Sequence, residues 1–365
     1  MEQEIDPMLY GVTPSLFCEW RSPRLGEKNP TKIKSKVWEW LVHSKLSAYA
    51  ATQRLNGPSS FDEGPAWCFD RFGQSVTELE DGRIIYIGGE HEDYYDPDFN
   101  IYNDVVVVYP DDTIDFYCYS KSDFPSTDFH SATRIENKII LIGSLGYPEE
   151  RVIADTQIYI LDLESYEMQK IKASGQSPGW IHEHNATLSS DKKSILITHG
   201  KVDLGQEYSL RDNIDDWKLN LVDWYWERLT ERAWVRWEIK RRDKKNNHLW
   251  EIRQALWKLG VSWLDDYEND IEGLENELGH RPDVTLVNEF YTFDFAHDNL
   301  QEDEEEHNVF WIYIDAVRVK FVEESHCLQV SVEGELPVET INILKESLVN
   351  KLSALENTAC DIEDY

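Results

Sequence analysis

The sequence predicts a mainly β chain with helices. About three four-stranded β repeats span residues 65–230, an N-terminal extension with one helix spans 1–64, and a smaller α+β domain spans 231–365. Three observations lead there. Short apolar runs punctuated by turns recur with a period of about 55 residues in the middle of the chain. Before them, Ile33, Val37, Trp40 and Leu41 form an apolar stripe at helical spacing. Beyond residue 231 the period fades and a mixture of helical and strand patterns follows.

Asn29-Pro30-Thr31 suits the start of the N-terminal helix, with Asn29 as N-cap and Pro30 at the first helical position, and Gly57-Pro58 ends it. The first repeat opens at Arg71-Phe72-Gly73-Gln74-Ser75, continues through Ile84–Ile87 to Gly88-Gly89, and resumes at Asn103-Asp104-Val105. The second runs Phe129-His130-Ser131-Ala132-Thr133, Ile139–Ile142, Gly143-Ser144 and Gln157–Leu163. The third runs Glu183-His184-Asn185-Ala186-Thr187, Ile195–Thr198, His199-Gly200 and Lys218–Leu221. Aromatic outer strands close them at Phe116-Tyr117, Tyr166-Glu167-Met168 and Trp224-Tyr225-Trp226. Four strands per repeat is the count of one propeller blade.

At these residues, roughly 65–230, the sequence resembles the kelch-repeat family. The resemblance implies kelch-like β-propeller blades. Only Gly88-Gly89 keeps the family's glycine pair, and three repeats do not close a ring unaided, so either flanking sheet completes it or the array is open. The C-terminal region resembles no family.

That region begins with a basic segment, Arg232 to Lys245, followed by Leu249, Ile252, Leu256 and Leu259 at helical spacing with Trp250 and Trp257 on a neighbouring stripe. Eight of the 14 tryptophans lie between Trp217 and Trp263, marking a dense aromatic core or interface. The acidic run Glu302 to Glu306 is expected to be an exposed, mobile loop. Residues 309–314, 317–321 and 327–332 have strand patterns, and a last helix follows Pro337 with Ile341, Leu344, Leu348, Leu352 and Leu355 on one face.

Charge narrows the function. The 70 acidic and 36 basic residues give a formal net charge of −34, which disfavours direct nucleic-acid binding and favours a basic protein partner. No apolar run is long enough for a membrane span, and the acidic first residues lack the apolar core of a secretory signal, so a cytoplasmic protein is expected. The five cysteines are widely spaced, with no Cys-x-x-Cys pair, and imply neither disulfides nor zinc. No phosphate-binding glycine loop, dinucleotide fingerprint or hydrolase elbow is present, so no cofactor is expected.

In a blade, the connections from strand 2 to 3 and from strand 4 to the next strand 1 emerge on one face. That face would collect Glu90, His91, Glu92, Asp93, Tyr94, Tyr95, Phe124, Tyr147, Trp180 and His182, together with His130 and His184. Aromatic anchors ringed by carboxylates suit a basic protein partner, the anchors giving affinity and the charges steering. The expectation is therefore an intracellular, non-enzymatic protein-binding module using this face, one version being an immunity-type inhibitor of a cationic toxin. The alternative is a metal-dependent enzyme with a His/carboxylate site on the same face, since His182 and His184 point the same way on a strand. Repeat-equivalent His130 and His184 also suit plain packing, and no metal site is assigned. Asp96-Pro97-Asp98-Phe99-Asn100 starts like a calcium loop but lacks the following Gly and the distal Glu.

Overall fold

Strand pairing in the first half of the chain is sequential. In the computed structural model, which describes residues 5–93, 96–205, 210–259, 267–304 and 306–365, each repeat is a four-stranded antiparallel meander. The first comprises Ser75–Glu78, Ile84–Ile87, Asp104–Val108 and Ile114–Cys118. The second comprises Ser131–Ile135, Lys138–Ile142, Ile158–Asp162 and Met168–Lys170. The third comprises Asn185–Leu188, Ser194–Thr198, Trp217–Asn220 and Tyr225–Arg228. None of these sheets closes on itself. All three belong to a contact unit covering Met1–Glu231.

Registers make the repeats superimposable. Ser75 faces Ile87, Ser131 faces Ile142, and Asn185 faces Thr198, so Gly88, Gly143 and His199 are equivalent, as are Glu90, Leu145 and Lys201. One apolar layer, with Ile87, Val107, Tyr119, Phe124, Leu141 and Tyr159, fills the space between the first two sheets. A second, with Ile140, Ile142, Ile160, Ile195, Ile197 and Trp217, fills the space between the second and third. Strands Asp104–Val108 and Ile158–Asp162 are buried on both faces, whereas Trp217–Asn220 alternates. Continuous apolar runs belong to sandwiched strands and alternation to a strand with one polar face.

The N-terminal residues differ from the single helix expected. Thr31–Ile33 is a β-strand on the free edge of the first sheet, facing Cys118, Tyr117 and Phe116. Asn29 caps no helix. Its amide clasps the backbone of the second sheet's outer strand, Nδ2 donating to the Met168 carbonyl at 2.7 Å and Oδ1 accepting from the Met168 N–H at 2.8 Å. Helices occupy Pro14–Trp20, Lys36–Ser44 and Ala48–Arg54, each with a Ser or Thr N-cap: Thr13, Ser35 and Ser47. They cover the outer face of the first sheet, where Trp38 stacks on Trp67 at 4.7 Å and both meet Phe116 edge-on.

The second unit, Arg232–Tyr365, is an antiparallel sheet in the order Gln301–Glu302, Val309–Ile314, Val317–Glu323, Leu328–Val332, Val235–Arg241, Cys360–Asp364. Helices Leu249–Lys258, Tyr267–Leu278, Val284–Asn288 and Val338–Leu355 contribute to its core. The basic segment thus holds an internal strand, Val235–Arg241, with Trp237 and Ile239 buried, and some of its cations are paired within the unit: Arg241 with Glu356 and Asp243, Arg242 with Asp361. Among the described residues of the acidic run only Glu302 lies in a strand, where it faces Phe310; Glu304 and Glu306 are exposed outside any strand or helix. Among the described residues no helix is long and apolar enough to cross a membrane.

Candidate functional site

Each seam between repeats is made by one repeated device. Gly73, Phe129 and Glu183 are equivalent and all have positive φ. Phe129 donates its N–H to the Gly73 carbonyl, and Glu183 donates to the Phe129 carbonyl, each at 2.9 Å. The next residue in two of them is histidine. His130 Nε2 is hydrogen bonded to Ser75 Oγ, and His184 Nε2 to Ser131 Oγ, both at 2.8 Å. Burial drives their pKa values down, to about 3 for His130 and about 4 for His184, so both are neutral links.

Further up the first seam lies an acidic pair. Asp128 is fully buried; its Oδ1 accepts from the Gly146 N–H at 2.7 Å and from Ser144 Oγ at 3.1 Å. Glu90, half-buried at the start of strand Glu90–Asp93, lies within the field of Asp128. Burial first, then the Asp128 charge, pushes Glu90 up to about 7, so Glu90 holds its proton well above the ordinary glutamate range. In the second seam the same two positions hold Leu145 and His182. The His182 ring is buried with neither nitrogen hydrogen bonded, and burial pushes its pKa down to about 3.

The expected loop face is therefore only partly a surface. The strand 2–3 connections are themselves paired: Glu90–Asp93 with Asp96–Ile101, and Lys201–Asp203 with both Leu210–Asp212 and Trp180–His182. Trp180, expected as an exposed anchor, is 2% exposed, with its indole N–H donated to the Leu145 carbonyl at 2.9 Å. Phe124 is fully buried between the first two sheets, edge-on to Tyr119 and Tyr159. His182 and His91 are buried too. As drawn, the anchor set is corrected: Phe124 and the Trp180-Ile181-His182 run are packing. Tyr147 stays half-buried, its hydroxyl accepting from the Ile101 N–H at 2.9 Å, and Glu92 is exposed. Asp93 ends its strand, while Tyr94 and Tyr95 lie outside the described residues.

Other aromatics take the exposed places. Phe72 is 67% exposed and its backbone bridges Glu90; Phe99 is 43% exposed and meets Tyr147 edge-on at 5.9 Å. Phe61, 75% exposed, sits on the short helix Ser60–Glu63 that packs beside strand Asp96–Ile101. The signal available for Phe61 and Phe72 was that each stands alone in a polar run, with no apolar partner two residues away to define a core face; Phe99 has Ile101 at that spacing and carried no such signal. Beside Tyr147 runs a cleft of about 300 Å³ lined by Arg24, Asn103, Asp104, Lys121 and Glu149. Its Asp104 is spoken for, bridged by Arg71 at 2.6 Å and by the Trp67 indole at 2.7 Å.

For metal chemistry the donors are largely committed. Among the described residues no three His, Cys, Asp or Glu side chains are placed to hold a metal ion.

Comparison with known proteins adds little. No protein-family model matches the chain, and no curated protein matches it in sequence. Among solved structures it is similar to that of YjhT, at 11% identity and a TM-score of 0.35, covering 45% of this chain and 53% of that one. It is also similar to a fungal alcohol oxidase of the AA5 family in complex with copper, at 13% identity and a TM-score of 0.29, covering 46% of this chain and 45% of that one. The chain thus spans about half the length of each, and likeness at these values assigns neither ligand nor activity.

Proposed function

We propose that the protein is a non-enzymatic binding module for a basic protein partner, engaged in its first unit by the hairpin face that carries Phe72, Phe99 and Tyr147 among carboxylates. One observation carries this reading: Phe72, bridged to Glu90, and Phe99, on the strand paired with Glu90–Asp93, both stand exposed at a hairpin whose Glu92 is exposed too. Lone exposed apolar residues are ordinary, but aromatics grouped on one rigid face mark an interaction surface. The net charge of −34 supplies the long-range attraction for a cation and repels polyanions. An inhibitor of immunity type is the specific version: a cationic toxin would then be held through the surface that otherwise meets its polyanionic substrate.

The test is capture from a host extract by the wild-type chain and by a Phe72→Ala/Phe99→Ala variant, followed by kinetics with the captured protein at two ionic strengths. The aromatic variant is expected to dissociate at least about tenfold faster. Glu92→Gln is expected to slow association mainly at low salt. Capture and kinetics indifferent to both changes would overturn the proposal.

A further inference from the structure

The second unit holds an apolar surface that the hairpin face does not account for. Helix Leu249–Lys258 turns Leu249, Ile252 and Ala255 into its core, which leaves Trp250 and Trp257, seven residues apart, along another side. Two adjoining hollows of about 350 and 340 Å³ follow that side and share Arg253, Trp257, Glu302 and Phe310. Trp257 is 64% exposed, and Leu256 and Leu300 extend the apolar lining. The floor is fixed rather than pliant. Arg253 grips the buried Glu323 carboxylate through Nε and Nη2, at 3.0 and 2.8 Å, and lies 4.8 Å from the Phe310 ring centre. The Tyr291 hydroxyl donates to the same carboxylate at 2.8 Å.

Charge decides what such a groove accepts. Its cations are already balanced within the chain: Arg253 by Glu323, Lys258 by Asp270 at 2.6 Å, and His307 beside Glu302 at 3.2 Å. The hairpin forming one wall adds exposed Glu302, Glu304 and Glu306. A second copy of a chain with net charge −34, a nucleic acid and an anionic membrane would each be repelled from this rim.

We infer that this groove docks a basic segment of a protein partner, which sets an apolar side chain against Trp257 while its Arg or Lys residues face the Glu302 hairpin. Each hollow has the volume for one large side chain, and a Trp-lined pocket with an acidic rim combines an anchor site with steering charge. The inference shares with the proposed function only the basic character of the partner and uses a different surface.

The test uses the full chain carrying fluorine-labelled tryptophan and three short synthetic peptides: a Lys/Arg-rich peptide with a central Leu, the same peptide with a central Ala, and an acidic counterpart. Trp257→Ala identifies the Trp257 resonance, and its melting curve should match wild type because the side chain is exposed. The Leu-centred basic peptide should shift that resonance and bind about tenfold or more tighter than the Ala-centred one. Trp257→Ala should abolish that preference, and Glu302→Gln/Glu304→Gln/Glu306→Gln should reduce the salt dependence. The acidic peptide should not bind. A Trp257 resonance that stays in place, or a Leu preference that survives Trp257→Ala, overturns the inference. Preference lost in Phe72→Ala/Phe99→Ala instead also overturns it, while leaving the first-unit reading standing.

Discussion

The second and third sheets of the first unit share a four-strand order and nearly the same register, the third adding Ser174–Gly175 parallel to its outer strand, yet one is interior and the other terminal. In the second, Ile160 is buried against a neighbouring sheet; in the third, the equivalent residue is Lys218, paired with Glu227 at the surface. Position 143 is glycine with φ +74°, and a Cβ there would overlap the Ile181 carbonyl oxygen of the following repeat. Gly88 stands in the same relation to the Thr127 carbonyl. At the equivalent position of the third sheet no repeat follows, and an exposed His199 adopts the same left-handed conformation at φ +58°. Glycine is required there by the next repeat's backbone, not by the turn alone. An array ends where its outer face turns polar and this crowding stops.

The sharpest way to break that comparison is to add a side chain at both positions. Gly143→Val should cost about 3 kcal/mol or more, since left-handed strain and backbone overlap act together. His199→Ala, which keeps the conformation and meets no carbonyl, should stay within about 0.5 kcal/mol. Denaturant unfolding of both variants measures the contrast, and equal costs would show that the third sheet is no terminus. Next in size, Ile160→Ala should cost about 2–4 kcal/mol as a cavity between two sheets. Lys218→Ala, which loses only an exposed ion pair, should cost less than about 1 kcal/mol by the same assay.

The seams themselves should behave alike, and acid probes them. His184 and His130 have folded pKa values depressed by burial to about 4 and about 3. The unfolded chain takes up these protons near the ordinary histidine value, whereas the folded chain resists until well below it. Stability is therefore lost as pH falls from about 6.5 toward 4, by about 2–3 kcal/mol for each histidine. His184→Gln and His130→Gln should each flatten melting temperature against pH in that window. A variant with the wild-type slope would mean that its histidine is hydrated and not a dry link to Ser131 or Ser75.

How much of this was legible follows from where strands find partners. Within each four-stranded repeat of the first unit the strands pair in chain order, so alternation and turn residues suffice to mark them. In the second unit, Val235–Arg241 pairs with Leu328–Val332 and Cys360–Asp364, far along the chain, and its Arg and Lys residues at alternate positions disguise the buried Trp237 and Ile239. Ile33 fell into helical register with Val37 and Leu41 by coincidence, because the strand it belongs to is only three residues long. On the candidate face, Tyr147 bonds to Ile101, which pairs with Glu90, and Trp180 bonds to Leu145. Sequence could not tell that the connections there pair into hairpins, and that pairing buries Trp180 and His182 and leaves Phe72 and Phe99 outside.

The smallest expected effect separates the two seams from each other. Glu90 faces Asp128, with Glu92 and Glu183 also acting on it, while the equivalent Leu145 brings no charge to His182. A carboxyl whose folded pKa lies above its unfolded value costs stability as pH rises: the unfolded chain releases the proton near the ordinary glutamate value, and folded Glu90 holds it to about 7. The cost accumulates across that interval and is complete above it. Discounted for a half-exposed group, it amounts to about 1 kcal/mol. Glu90→Gln removes the second charge beside Asp128, so it should gain about that much stability at about pH 8 and none at about pH 5. Melting curves of wild type and variant across this range measure the difference directly, and it is insensitive to the histidines because both proteins contain them. A constant difference at all pH values would mean that Glu90 does not hold its proton beyond the ordinary glutamate range and that the first seam, like the second, carries no carboxyl titrating there.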